Sequence, residues 1–235
     1  MPLANATRDL LRQVGTATLT TQLLKRGFRN AFMQGVAPLH DGDEVMVGPA
    51  VTLRYIPARE DLATLESLAS REHPQRKTIE TMPAGHVLVV DCRGETGAAA
   101  AGAILIARLL ARGAAGFVAD GGMRDVGTAA SLGLPIFCSG PSAPPNVGRH
   151  HAADANCPIG CGCVAVFPGD VVVGDRDGVV VVPARLADEV AIAAAEQERL
   201  EEFLLAEVRA GKPLFGTYPP DEATLERYRR SRGEG

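Results

Sequence analysis

The sequence predicts a single α/β domain with a mixed sheet core, and three observations carry that expectation. Two apolar segments, HVLVVDC (86–92) and AGFVAD (115–120), each run through a small-residue loop towards a helical pattern. Two strand–loop–helix units in succession point to right-handed parallel crossovers. The second half then changes character. VAVFPGDVVVGDRDGVVVVP alternates short Val-rich runs with Pro-Gly-Asp and Asp-Gly turns, the pattern of antiparallel hairpins. The 235 residues are 46% hydrophobic but only 4% aromatic, so Ala, Val and Leu must fill the core. No internal repeat or interdomain linker divides the span 1–235.

Taken in order, residues 4–14 and 17–26 read as helices, with Thr16 or Thr18 near the second start. VGPAVTLRYI (47–56) reads as a strand, because β-branched residues follow a Gly-Pro turn. A helix is expected over 60–71 and a buried strand over 86–92. The loop RGETGAAAAG leads into the helix AILIARLLARG, which ends at Gly113. After the strand 115–120, a glycine turn enters a helix starting near Arg124, and LPIFC (134–138) is a third strand. Residues 139–162 show little regular pattern, and a loop of that length is often functional or an interface arm. A long helix follows from about Ala184 to Ala210 and stops at Gly211, before Pro213. A short arm with Tyr218-Pro219-Pro220 leads to a last helix near 221–231, so 184–235 forms a C-terminal helical arm.

Composition removes several function classes. Net charge is −4 with the two signs interspersed, whereas phosphate binding needs clustered Lys and Arg. Nucleic acid is therefore not the expected partner, and the basic run Arg227 to Arg232 reads as a solvated helix end. No apolar run approaches the roughly 20 residues of a membrane helix. The start, MPLANATRDLLRQVG, lacks the apolar stretch of a secretory signal, so no membrane association and a cytoplasmic location are expected. Five cysteines, Cys92, Cys138, Cys157, Cys161 and Cys163, read as reduced thiols. The last three lie near His150 and His151. However, a CxC without a second pair is not a structural zinc knuckle, so small buried residues entering a strand is the better reading. The two histidines read as surface groups of the long loop, and Asp175-Arg176-Asp177-Gly178 reads as a hairpin turn rather than a calcium loop.

The segment richest in chemistry is ADGGMRD. Asp120 ends a strand, Gly121 and Gly122 let the backbone turn tightly, and Arg124 and Asp125 open a helix. An Asp N-cap beside a surface Arg–Asp pair satisfies that pattern. So does a ligand site, in which Arg124 clamps a carboxylate through two parallel hydrogen bonds and Asp125 offers an oxygen to a hard cation. One unit earlier, the loop Gly94–Gly102 enters a helix whose first N–H groups, from Ala103 to Leu105, can bind an anion. The same small residues also suit close helix–sheet packing. The only lysines are Lys25, Lys77 and Lys212, each beside glycine or in a polar stretch. A desolvated Schiff-base lysine is not expected, which favours metal-assisted over imine chemistry at a keto acid.

The stretch GAILIARLLARGAAGFVADGGMRDVGTAASLGLPIF, followed by PGDVVVGDRDGVVVVP, resembles the family that joins the regulator of ribonuclease activity A to the 4-hydroxy-4-methyl-2-oxoglutarate aldolases. The resemblance covers roughly residues 14–210, and the Tyr218-Pro219-Pro220 arm resembles a longer subgroup often labelled as ribonuclease regulators. It implies an α/β/β sandwich-like domain, similar to a swivelling phosphohistidine domain, assembled as a homotrimer or hexamer with sites at subunit clefts. It also implies a class II pyruvate aldolase using magnesium or manganese, acting on a 4-hydroxy-2-keto acid, with oxaloacetate decarboxylation as a companion activity. By motif, Arg124 would hold the substrate carboxylate and Asp125 the metal. The N–H groups of Ala103, Ile104 and Leu105 would meet the same carboxylate. Glu198 or Glu201 of a neighbouring subunit would approach the metal through water. At the first position of that helix the family usually bears an acid, and this chain has Ala103; other acids nearby, such as Glu95, are candidates to substitute. Two other functions fit the resemblance: a non-catalytic regulator that binds a protein partner, and a dehydratase or hydrolase of a sugar-derived 2-keto acid.

Overall fold

The computed structural model describes residues 3–40, 42 and 45–233, so residues 1–2 and 234–235 of the expected domain lie outside the described part. Helices α1 (Asn5–Leu11) and α2 (Thr16–Lys25) open the chain. Asp175 closes the N-terminus of α2 from across the fold, accepting from the Thr16 N–H at 2.7 Å and from its hydroxyl at 2.8 Å. A two-residue strand β1 (Ala37–Pro38) and the long β2 (Met46–Pro57) follow, then helix α3 (Pro74–Thr81). The central units are β3 (Val87–Asp91), β4 (Ala99–Ala101), α4 (Ala103–Ala111), β5 (Gly116–Ala119), β6 (Gly122–Met123), α5 (Val126–Ser131) and β7 (Ile136–Cys138). The second half supplies β8 (His150–Ala155), β9 (Ile159–Cys161), β10 (Val164–Val166), β11 (Val171–Gly174) and β12 (Val179–Val182), then α6 (Ala187–Arg209) and α7 (Glu222–Ser231).

One mixed sheet runs in the order β1-β7-β5-β3-β2-β11-β12, with β8 also on β2. Strands β2, β3, β5 and β7 are parallel, as the crossover units predict, and the remaining pairings are antiparallel. Strict alternation builds three cores from this sheet. Leu88 and Val90 of β3 face a core with Ile106 and Leu109 of α4, while Val87 and Val89 face the β9–β10 hairpin through Ile159 and Val164. In the same way Val180 and Val182 of β12 pack on Val190, Ala191 and Ala194 of α6, while Val179 and Val181 face the hairpin side. Four consecutive valines are buried because both faces of the strand are covered. Helix, sheet and hairpin layers result, as the α/β reading with a long C-terminal helix expects.

Three expectations are corrected. Residues 60–71 form no α-helix, only a 3-10 turn over Ser67–Ala69. Thr64 and Ser67 bond each other's backbone N–H at 3.1–3.2 Å, an arrangement that competes with helical hydrogen bonding. The helix comes later, at α3, with Pro74 in its first turn, where a missing N–H is harmless. The second correction concerns 139–162, which contains β8 and β9. His150 is 2% exposed, stacked on Tyr55 with ring centroids 5.1 Å apart, rather than a surface group. Burial pushes its imidazolium form down. Third, β10 pairs back with β9 across Gly162-Cys163, both at positive φ, so Cys161 is buried but Cys163 is exposed in a turn. All five thiols are free, and burial pushes those of Cys92 and Cys161 well up, towards the inert form.

The arm folds back on α6. Tyr228 donates to Glu196 at 3.1 Å, and Arg227, Arg229 and Arg230 pair with Glu207, Glu222 and Glu226. The basic run is therefore locally compensated. Among the described residues, no helix is long and apolar enough to cross a membrane.

Candidate functional site

The site is organised by two loops that leave neighbouring strands and are stitched together. Asp120, 6% exposed, accepts from the N–H groups of Cys92 at 2.6 Å, Gly94 at 3.1 Å and Gly162 at 3.2 Å. Burial raises its carboxyl above the usual range, and the backbone donors offset part of that rise. It ties the ends of β3 and β5 to the β9–β10 turn. Glycine is required just beyond it. A Cβ on Gly121 would lie 2.7 Å from the Cys92 sulfur, and one on Gly122 would lie 2.3 Å from Ser142 Cβ. The tight turn lets β6 pair with β4, and the Arg124 N–H donates to the Ala101 carbonyl at 3.1 Å.

That stitch brings Arg124 and Asp125 against Gly102, the N-cap of α4. A side chain at Gly102 would put its Cβ 2.7 Å from Asp125 Oδ2 and 2.9 Å from Arg124 Cγ. Asp125 occupies the N-cap of α5 in left-handed conformation, φ 55°, yet its side chain makes no capping bond. The ordinary N-cap reading is thereby excluded. Its Oδ2 has two long contacts instead, with the Ala103 N–H at 3.3 Å and Arg124 Nε at 3.4 Å. Both side chains of the pair are 45% exposed, so this contact is weak and each group remains available. At the start of α4, the Ala103 N–H meets Asp125 and the Leu105 N–H bonds the Gly102 carbonyl at 3.0 Å, which leaves the Ile104 N–H as the open donor.

These groups line one cleft of about 220 Å³. Ala99 to Gly102 and Arg124-Asp125 contribute to its lining, together with Gln75 and Arg76 of α3, Leu65, Leu68 and Asn146. Gln75 is 2% exposed and donates to the Tyr55 hydroxyl at 2.6 Å and the Ala100 carbonyl at 2.8 Å, bracing the β4 wall. Burial in that spot pushes the Tyr55 phenol up, so it stays neutral. Sequence reasoning missed the α3 wall entirely. The available signal was Pro74, a favourable first-turn residue ahead of a polar helix.

Other predicted residues lie elsewhere in the chain. Glu95 accepts from the Gly97 N–H at 2.6 Å, lies 3.8 Å from Arg149, and is not among the residues that line the cleft. Glu198 accepts from the Thr18 hydroxyl at 2.6 Å, and Glu201 from Gln197 at 2.7 Å; neither lines the cleft of its own chain. Among the described residues, Asp125 is thus the one carboxylate that lines the cleft. No group of three or more His, Cys, Asp or Glu suited to a metal occurs among the described residues. A single carboxylate still fits magnesium or manganese, which commonly take one or two carboxylates and fill the remaining positions with water and substrate oxygens.

Comparison with known proteins matches this architecture. A Halalkalibacterium halodurans protein named "Putative 4-hydroxy-4-methyl-2-oxoglutarate aldolase" is 36% identical over 148 residues, 63% of this chain and 64% of that protein. The chain thus spans somewhat less than two thirds of that relative's length. A solved structure of an uncharacterized Pseudomonas syringae pv. tomato protein superposes with a TM-score of 0.81 at 27% identity, covering 93% of this chain and 95% of the other. Streptomyces coelicolor RraAS2, described as an unusual member of the RNase ES inhibitor RraA protein family, superposes with a TM-score of 0.77 at 32% identity, covering 86% and 97%. The family model described as RraA-like, Aldolase/RraA, matches residues 16–181, and the chain belongs to that family.

Proposed function

We infer that this chain is a divalent-metal-dependent lyase that cleaves a 4-hydroxy-2-keto acid and releases pyruvate, with oxaloacetate decarboxylation as a companion activity. The observation that carries the reading is the Asp125 carboxylate. It is held in left-handed backbone beside Arg124, in a cleft, and is not used to cap its own helix. A left-handed aspartate whose side chain makes only two long contacts supports a ligand role.

Each group then has a task set by its chemistry. Arg124 offers a planar fork to the substrate carboxylate. The open Ile104 N–H at the α4 start adds a donor on the same side. Asp125 would hold magnesium or manganese, and when bound the cation supplies the Lewis acidity that stabilises negative charge on the 2-keto oxygen as the carbon–carbon bond breaks. The Ala103 methyl can neither hold nor pass a proton, so the 4-hydroxyl proton would pass to a water in the cleft as the carbon–carbon bond breaks, and the resulting pyruvate enolate would take a proton back at its C3 carbon to leave as pyruvate. Lys25, Lys77 and Lys212 are all exposed and outside the cleft walls, which leaves no amine for an imine route. Glu198 or Glu201 joins the site only from a second copy, within the homotrimer or hexamer proposed here.

The test is a pyruvate-release assay with oxaloacetate and 4-hydroxy-2-keto acids, with and without magnesium or manganese. Metal-stimulated release is expected. Arg124→Ala should lower kcat/KM by roughly 10- to 100-fold, the worth of a charge-assisted contact, and Asp125→Ala should remove the metal response. Release that ignores both substitutions, or no release with any acid, refutes the lyase. In that case Ala103 and the likeness to RraAS2 favour a protein-binding regulator, detectable as co-purification of a ribonuclease or helicase.

A further inference from the structure

We propose that Arg76 is a specificity-determining residue of the same cleft, selecting acids that carry a second carboxylate remote from the 2-keto end. The inference rests on the keto-acid reading of the Arg124 side and extends it across the cleft. Arg76 sits on α3 and lines the same cleft as Arg124 and Asp125, at the edge it shares with a surface hollow lined by Glu72 and Glu80. Its Nε is buried from solvent and has no hydrogen-bond partner. The acids four positions to either side of it in the chain are engaged elsewhere. Glu72 pairs with Lys77 at 2.6 Å, and Glu80 holds both arms of Arg108 at 2.6 and 2.9 Å. Among the described residues no carboxylate pairs with Arg76.

The sealed Nε gains nothing directly from a ligand, but an anion bound from the cleft at the rest of the guanidinium would compensate a charge that no carboxylate of the fold pairs with. The charge balance points the same way. Among the described residues that line the cleft, Arg76 and Arg124 are accompanied by a single carboxylate, Asp125, which leaves one positive charge in excess before any cation binds. A monoacid held by Arg124 leaves Arg76 unanswered, whereas a diacid answers both. Size limits the ligand further. At about 220 Å³ the cleft is below the roughly 300 Å³ at which drug-sized pockets begin. It suits a short-chain diacid better than a nucleotide. A planar guanidinium also matches a flat carboxylate through two parallel bonds, which a lysine at this position would not reproduce.

The experiment measures equilibrium binding of 2-oxoglutarate and of 2-oxobutyrate, in the presence of magnesium, to the parent protein, Arg76→Gln and Arg76→Lys. The parent should bind the diacid at least about 10-fold more tightly. Arg76→Gln should erase that preference while leaving monoacid affinity within about twofold, which also shows that the variant is folded, and Arg76→Lys should restore part of it. Equal weakening of both acids, an unchanged preference in Arg76→Gln, or no binding of either acid to the parent overturns the proposal. Pyruvate release separates the two readings. Selectivity lost in Arg76→Gln without turnover in the parent removes the lyase and keeps Arg76. Turnover in the parent with selectivity unchanged in Arg76→Gln removes Arg76 and keeps the lyase.

Discussion

Asp120 and Asp125 lie five positions apart, and their two surroundings are opposites. Asp120 is buried at the meeting of β3, β5 and the β9–β10 turn, where three backbone N–H groups fill its oxygens. Asp125 is half exposed at the cleft, in strained backbone, with only two long contacts. A saturated carboxylate holds the loops in place, and an unsaturated one is left for chemistry. The difference teaches that hydrogen-bond saturation, more than position in a motif, separates the acid that holds the loops from the one proposed to hold the metal.

The comparison breaks most visibly at its structural half. Asp120→Ala orphans two buried donors, Cys92 and Gly162 N–H, and a third at the surface, and should destabilise the fold by about 3–5 kcal/mol, read from the denaturant midpoint. Asp125→Asn keeps the shape and tolerates left-handed backbone, so its stability should change by less than about 1 kcal/mol while turnover collapses. Similar stability losses in the two variants would erase the distinction. Gly102→Ala is a sharper probe. Its methyl would reach within 2.7 Å of Asp125 Oδ2, so Asp125 or Arg124 must shift. A shift of that size should lower kcat/KM by about 10- to 100-fold, and a rate equal to the parent's would show that the corner is not the site.

A pH prediction concerns the support behind the cleft. His150 is buried against Tyr55, and burial holds its imidazolium form below the usual histidine range. The unfolded chain then binds the extra proton more readily, so His150 contributes stability that is present above pH 6.5 and lost as pH falls. Thermal melts of the parent should drop on acidification below that point, and His150→Phe should flatten this part of the slope. The smallest expected effect belongs to Lys77→Ala. It removes an exposed pair with Glu72 and should leave pyruvate release within about twofold. A large loss there would revive a lysine route.

Much of this contrast was legible in the residues, and the rest failed for physical reasons. ADGGMRD reads as a turn into a reactive pair because its glycines and its charged residues are consecutive. The valine runs at 171–174 and 179–182 read as a hairpin because alternation and turn residues agree. Helix α3 was hidden because its buried face is Gln75, Thr78 and Ile79, a largely polar set. Strand β8 was hidden because His-His-Ala-Ala-Asp-Ala has little β-propensity and is strand only through pairing with β2. Both misses bear on the site. Without α3 in place, Arg76 has no visible relation to Arg124, and without β8, His150 looks like a surface group. The absence of a capping bond on Asp125 is likewise a property of coordinates, since an aspartate before a helix ordinarily reads as a cap.

The most direct measurement is a manganese-binding isotherm, read by electron paramagnetic resonance, for the parent, Asp125→Asn and Asp120→Asn, each confirmed folded by its melting curve. The account predicts one site per chain in the parent, binding weakened at least about 10-fold in Asp125→Asn, and binding retained by folded Asp120→Asn. Manganese held equally well by the parent and Asp125→Asn, or lost only with Asp120, would contradict it.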